Sequence, residues 1–307
     1  MMNGHNLSGV IVAALTPLKQ DFMLALDDLL PFLDFLAQRG NHGALLFGTT
    51  GEGPSFAPSE RLELLKVALQ VRQVHPNFKL LAGTGTPSLQ ETIDLTRAVF
   101  DLGCDGVVVL PPYYYRKASE DGLFAWFSQV LRQAVPAGGA LLGYHIPSLT
   151  GVSLTIDLLA RLKDAFPNRF AGLKDSSSDA EHARRLGARF GKDLLVFSGN
   201  DALFSLALEN SASGCITAMA NLRSPDLRLV WDAHLEGKMH PQAHARLVSA
   251  RGVMDRYAPF PPLFKALLAR LHGFPCWSLR PPLMALPEDV AERALREAKA
   301  EVDGFAG

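Results

Sequence analysis

Cysteine is scarce in this chain of 307 residues: there are three, Cys104, Cys215 and Cys276. They are widely spaced, odd in number and form no CxxC pair, which argues against a disulfide framework and against a zinc ribbon. An excess of one charge is lacking too, since 30 Lys and Arg stand against 31 Asp and Glu. That balance gives no bulk attraction toward nucleic acid or an anionic membrane. Long hydrophobic runs are missing: apolar stretches such as 9–15 and 106–112 fall well short of the ~20 residues that cross a bilayer. The opening MMNGHNLSGV carries no basic segment followed by an apolar one, so secretion is not expected and a reducing cytoplasm is the natural setting. No HExxH is found and the nine histidines are dispersed, so no metal is expected. A GxSxG elbow and a Walker lysine are also lacking, which removes the usual carriers of serine-hydrolase and nucleotide chemistry. Gly83-Thr84-Gly85 lacks the third glycine of a dinucleotide fingerprint and reads better as the approach to a helix opened by Ser88 and Glu91.

What is present is an ordinary core, with 48% hydrophobic and 20% charged residues. Eight short apolar runs recur at 9–15, 43–47, 80–83, 106–110, 140–144, 170–174, 194–198 and 214–217. Most lack polar alternation, as strands covered on both faces do. Between them, segments 26–39, 58–74, 88–102, 120–134, 155–166, 180–190 and 202–211 carry apolar residues three and four apart, the spacing of amphipathic helices. The order predicts an α/β protein, a (β/α)8 TIM barrel over residues 1–225. Residues 226–307 read as helices broken at prolines, a C-terminal helical extension packed on the barrel.

Active sites of such barrels lie at the C-terminal ends of the strands. Among the lysines, Lys174 stands out because it ends an apolar strand, whereas Lys79 and Lys192 precede theirs and most others sit on helices at solvated spacing. Removal from water disfavours an ammonium, so a lysine in that place is available as a free amine, a nucleophile that forms a Schiff base with a carbonyl compound. An ion pair with Asp175 is the plainer role. Tyr144 ends the preceding strand and is expected in the same mouth, where a phenol can carry the proton moved as a carbinolamine forms or a carbon–carbon bond breaks. His145 is expected to point the other way. Gly48-Thr49-Thr50-Gly51 follows the second strand, and its turn can converge amides and hydroxyls on a carboxylate. The basic positions Arg184, Arg185, Arg246 and Arg251 read as solvated helix faces.

Taken in order, Gly48-Thr49-Thr50-Gly51-Glu52, Pro112-Tyr113-Tyr114, Tyr144-His145-Ile146-Pro147, Gly172-Leu173-Lys174-Asp175 and Ser198-Gly199-Asn200-Asp201 resemble the dihydrodipicolinate synthase and N-acetylneuraminate lyase family. The likeness extends to Phe260-Pro261-Pro262-Leu263-Phe264-Lys265 and Leu279-Arg280-Pro281-Pro282 near the C-terminus. It implies class I aldolase chemistry with pyruvate as the bound carbonyl. Lys174 becomes the Schiff-base residue and Tyr144 the proton relay. Thr49 and Thr50 are implied to bind the keto-acid carboxylate, with Thr50 linking Tyr144 to Tyr114. Tyr114 is implied to come from a neighbouring subunit, hence a homo-oligomer, dimer or tetramer, and Ile216 to line the pyruvate pocket. The resemblance calls for no cofactor beyond the lysine imine.

Departures bear on the substrate. Synthases of this family usually carry an arginine two residues after the proline of Tyr-x-x-Pro, to hold the carboxylate of aspartate semialdehyde; here the residue is Leu149. The lyases generally have an acidic pair where this chain has Asp201 followed by Ala202. Ser176, Ser177, Ser178, Gly199, Asn200, Asp201 and Asn221 are expected to give the mouth a hydroxyl- and amide-rich lining. The expectation is a Schiff-base lyase acting on a 2-keto-3-deoxy sugar acid or a 4-hydroxy-2-keto acid, with pyruvate and an aldehyde as its small-molecule partners. The alternatives are 4-hydroxy-tetrahydrodipicolinate synthase and a keto-acid-binding barrel without turnover.

Overall fold

The computed structural model describes residues 7–305. Its centre is a closed barrel of parallel strands, each paired with the next in sequence and the last with the first. The strands are β1 (Gly9–Ala13), β2 (Gly43–Leu46), β3 (Lys79–Gly83), β4 (Gly106–Val109), β5 (Ala140–His145), β6 (Phe170–Asp175), β7 (Leu195–Ser198) and β8 (Gly214–Thr217). Most are buried along their whole length, because side chains on one face fill the barrel and those on the other meet the surrounding helices. Inside lie Ile11, Ala13, Leu45, Leu81, Val108, Leu142, Phe197 and Ile216, a packed core rather than a pore. Outside, a larger core joins the strands to the helices.

The helices are α1 (Leu26–Gln38), α2 (Pro58–Ala68), α3 (Leu89–Asp101), α4 (Glu120–Ala134), α5 (Pro147–Thr150), α6 (Ile156–Ala165), α7 (Ala180–Phe190), α8 (Phe204–Glu209), α9 (Ala220–Leu235), α10 (Pro241–Asp255), α11 (Phe260–His272) and α12 (Glu288–Glu301). Ser88, Ser119, Thr155 and Asp179 cap α3, α4, α6 and α7 by accepting from first-turn N–H groups. The helix expected over 58–74 stops at Ala68 and continues as a 3-10 segment, Leu69–Gln73. That expected over 202–211 opens as the 3-10 turn Asp201–Leu203, because the Asn200 side chain accepts from Ala202 N–H and tightens the entry. Pro225 lies inside α9 and has no N–H to bond backward, and Arg223 departs from helical geometry there (φ −118°, ψ 27°). The expected barrel boundary at residue 225 thus falls within a kinked helix. Beyond it, α10 packs on α9, on α12 and on the turn Asp201–Leu203, which brings the C-terminal region to the end of β7.

One irregularity controls which way β6 presents its side chains. Ala171 belongs to the inner core and Leu173, two residues on, to the outer one, so the strict two-residue alternation is broken at Gly172. The β5–β6 register shifts at that level, Leu141 facing Phe170 and Leu142 facing Gly172. Only glycine fits: a Cβ on residue 172 would stand 1.9 Å from the Leu195 carbonyl oxygen.

Candidate active site

Above the bulge, Tyr144 pairs directly with Lys174 and His145 with Asp175. Tyr144 and Lys174 therefore share the inner face at the C-terminal end of the barrel. Lys174 is 3% exposed, and its Nζ lies 4.1 Å from the centre of the Tyr144 ring. Burial, the largest influence on the Tyr144 phenol, pushes its pKa up. The Lys174 charge and hydrogen bonds with Thr49, Lys174 and Ser176 together outweigh that, and the net direction is below the ordinary tyrosine value. A phenol so placed is easier to ionise than a free one, which suits a group that must both give and take a proton.

The Gly48–Gly53 loop supplies the next shell of polar groups. Thr49 Oγ1 stands 3.2 Å from the Tyr144 hydroxyl. The hydroxyl beside the phenol is thus Thr49's, where Thr50's was expected; Thr50 lines the cavity wall, as Thr49 does. Glu52 sits in the left-handed region at φ +56° and is wholly buried. Its carboxylate accepts from Lys265 Nζ at 2.6 Å and from Arg280 N–H at 3.1 Å, while Lys265 also donates to the Ser278 carbonyl at 2.6 Å. Burial pulls the Lys265 ammonium below the usual lysine range, with Glu52 opposing. This buried pair ties the threonine loop to the C-terminal segment. Lysines on helices were expected at solvated positions; Lys265 is an exception that only the Glu52 contact explains.

A cavity of about 490 Å³ opens over Lys174, and its walls include Thr49, Thr50, Tyr144, Ser176, Ser178, Gly199 and Ile216. Leu149 stands at its side. Of the residues expected at the mouth, Ser177, Asn200, Asp201 and Asn221 do not line this cavity, and Tyr114, implied to serve a neighbouring copy, does not line its own. Tyr114 is 76% exposed and meets Tyr115 edge to face, 5.2 Å between ring centres. Asn200 turns away to cap the following turn and to donate to Ser178 Oγ at 3.0 Å. Asp201 is buried behind the wall, where it accepts from the Thr217 hydroxyl and pairs with Arg251 at 3.4 Å. Burial raises the Asp201 pKa above the usual carboxylate range against the pull of Arg251 and Thr217. Asn221, expected at the mouth, is fully buried and clamps the barrel instead, donating to the Ala13 and Ala218 carbonyls at 2.9 and 2.7 Å. Ser177 serves a local turn.

Arginines expected on solvated faces include two that are not free. Arg246 pairs with the buried Asp226 at 2.6 Å. Arg251, from α10, lines the cavity itself together with Asp255. Nothing in the helical spacing of 246 and 251 signals this, since it depends on α10 meeting the end of β7.

His145, Asp175 and His182 approach within 4.8 Å of one another, the one such group among the described residues. His145 Nδ1 accepts from Leu154 N–H at 3.0 Å, so a neutral His145 carries its proton on Nε2 and has no free electron pair to give there. The cluster fits a metal poorly. His145 does face away from the cavity, toward the His182 ring at 4.8 Å.

Known proteins fit this geometry. The family model of the dihydrodipicolinate synthetase family matches residues 6–301. An uncharacterised DapA-like lyase of Chloroflexus aurantiacus is 39% identical over 292 residues, covering 94% of this chain and 95% of that one. A 4-hydroxy-tetrahydrodipicolinate synthase of Synechococcus is 32% identical over 95% of this chain and 94% of its own. Among solved structures, dihydrodipicolinate synthase from Agrobacterium tumefaciens superposes with a TM-score of 0.85 at 30% identity, covering 95% of this chain and 99% of that chain. A prophage protein of the same family from E. coli K12, in complex with pyruvate, gives 0.89 at 25% identity, over 96% and 99%. With a barrel of this topology and a family match along nearly its whole length, the chain belongs to the dihydrodipicolinate synthetase family and is a carbon–carbon lyase of the class I aldolase type.

Proposed function

We propose that the protein cleaves, reversibly, a 2-keto-3-deoxy sugar acid or related 4-hydroxy-2-keto acid to pyruvate and an aldehyde through an imine on Lys174. The observation that carries this reading is the buried Lys174 amine at 4.1 Å from the Tyr144 ring, at the floor of the cavity. The amine adds to the C2 carbonyl, and the carbinolamine loses water with a proton from the Tyr144 phenol, leaving an iminium. The Tyr144 phenolate then takes the proton of the C4 hydroxyl. The C3–C4 bond breaks, its electrons flow into the iminium, and the aldehyde leaves. Protonation of the resulting enamine at C3 and addition of water to the imine release pyruvate and restore the amine. Thr49 holds the phenol oxygen, and Thr50 with the loop amides receives the C1 carboxylate. The pyruvate complex of the E. coli relative supports a keto acid in this place.

Incubation with pyruvate and borohydride, followed by peptide mapping, tests the reading. A reduced adduct on Lys174 is expected, and its absence would remove the mechanism. Tyr144→Phe should lower kcat by about 10²- to 10⁴-fold. Because the phenol of Tyr144 lies below its ordinary value, the rising limb of the wild-type pH profile should fall below the usual tyrosine pKa of about 10 and disappear in the variant.

The names of the curated relatives favour a second reading, condensation of pyruvate with aspartate semialdehyde. Leu149 offers no charge to the carboxylate of aspartate semialdehyde, and side-by-side assays with keto-deoxy acids separate the two. We propose further that the active form is a homo-oligomer in which exposed Tyr114 enters the cavity of a second copy, and that it works in the cytoplasm without metal or nucleotide. Among the described residues no helix is long and apolar enough to cross a membrane.

A further inference from the structure

One wall of the cavity is built from α10, α11 and their junction: Arg251, Asp255, Ala258, Pro259, Phe260 and Pro261. Arg251 is 17% exposed and held from three sides. Its Nε donates to Asp255 at 2.8 Å, Nη1 reaches Asp201 at 3.4 Å, and the guanidinium lies 5.0 Å from the centre of the Phe260 ring. Asp201 is itself fixed by the Thr217 hydroxyl at the end of β8. A guanidinium restrained in this way presents its remaining N–H groups in one direction, next to a half-exposed Asp255 carboxylate.

Resting on the Schiff-base reading, we propose that Arg251 and Asp255 form the specificity element for the aldehyde portion of the substrate, selecting an uncharged tail with neighbouring hydroxyls, and that Asp201 is the positioning residue that aims Arg251. Each hydroxyl of such a tail both donates and accepts, and a donor fork beside a carboxylate satisfies both. The charge count along this wall explains the exclusion. One guanidinium faces two carboxylates, so no positive charge is left over for an anionic tail. A carboxylate or phosphate placed there loses its water and meets like charge. Lys174 as an iminium is balanced by the C1 carboxylate of the keto acid and gives no help.

The test measures condensation of pyruvate with three aldehydes: glyceraldehyde, butyraldehyde and succinate semialdehyde. The wild type should favour glyceraldehyde over each of the others. Arg251→Gln should raise the KM for glyceraldehyde by about 10- to 100-fold, while the KM for pyruvate moves less than about twofold and butyraldehyde is little affected. Arg251→Lys should recover part of the loss. Asp255→Asn keeps the proposal testable should the loss of Arg251 unsettle the fold, because Asp255 is half-exposed. It should improve succinate semialdehyde relative to glyceraldehyde by about tenfold, by removing one of the two carboxylates that face an anionic tail. Equal losses on all three aldehydes, or a wild type that prefers succinate semialdehyde, would overturn the proposal while leaving the imine intact. Failure of wild-type protein to trap pyruvate under borohydride would overturn the underlying reading and this one with it.

Discussion

Lys174→Ala should abolish turnover, with kcat lower by roughly 10⁴- to 10⁶-fold, as when a covalent nucleophile is removed. Alanine cannot form the imine, and the other buried lysine, Lys265, is committed to Glu52 and Ser278 and is not part of the cavity wall. The variant has a second consequence. Lysine lies against the Tyr144 ring and both its charge and its hydrogen bond hold the phenol pKa down, so their removal leaves burial less opposed. The Tyr144 pKa should therefore rise, visible by ultraviolet difference titration against the Lys174→Ala, Tyr144→Phe double variant. Turnover within tenfold of wild type would show that the amine is not the nucleophile. An unchanged phenol titration would show that the two side chains are not electrostatically coupled.

The largest effect on stability is expected from Lys265→Met. Glu52 is fully buried, and losing its ammonium partner leaves an unpaired carboxylate where water cannot reach it, a change that costs about 3–5 kcal/mol. At roughly 2–4 °C per kcal/mol the melting temperature should fall by about 6–20 °C. Glu52→Gln combined with Lys265→Met removes both charges and should recover much of the loss. The single variant should also loosen the loop of Thr49 and Thr50, because the lost Glu52–Lys265 pair ties that loop to α11. A raised KM for pyruvate in the single variant, reduced again in the double, is the kinetic counterpart. Additive losses in the double variant would mean that the pair contributes no coupling.

Much of the fold was legible in the sequence because burial on both faces leaves a plain mark. All eight apolar runs correspond to barrel strands within two residues at their ends, and Ser88 caps α3 where the sequence places a helix start. Lys174 and Tyr144 stood out because a charged group and a phenol interrupt apolar runs at the one end of the barrel where chemistry takes place. The order of the two threonines was not legible, since adjacent hydroxyls in a glycine-flanked turn are interchangeable until the backbone angles are set. Asn200 and Asp201 were placed at the substrate because they follow a strand, yet one caps a turn and the other anchors Arg251.

Local sequence determined the alternation of strands and helices and the placing of Lys174 and Tyr144, the proposed amine and phenol, at the C-terminal ends of neighbouring strands. It did so because these depend on burial and spacing within a few residues. Tertiary structure alone decided the inward aim of Lys174, which needs the bulge at Gly172, and the membership of Lys265 and Arg251 in the site's surroundings. Asp201 lies 50 residues from Arg251 and Glu52 lies 213 from Lys265, separations beyond the reach of any periodicity.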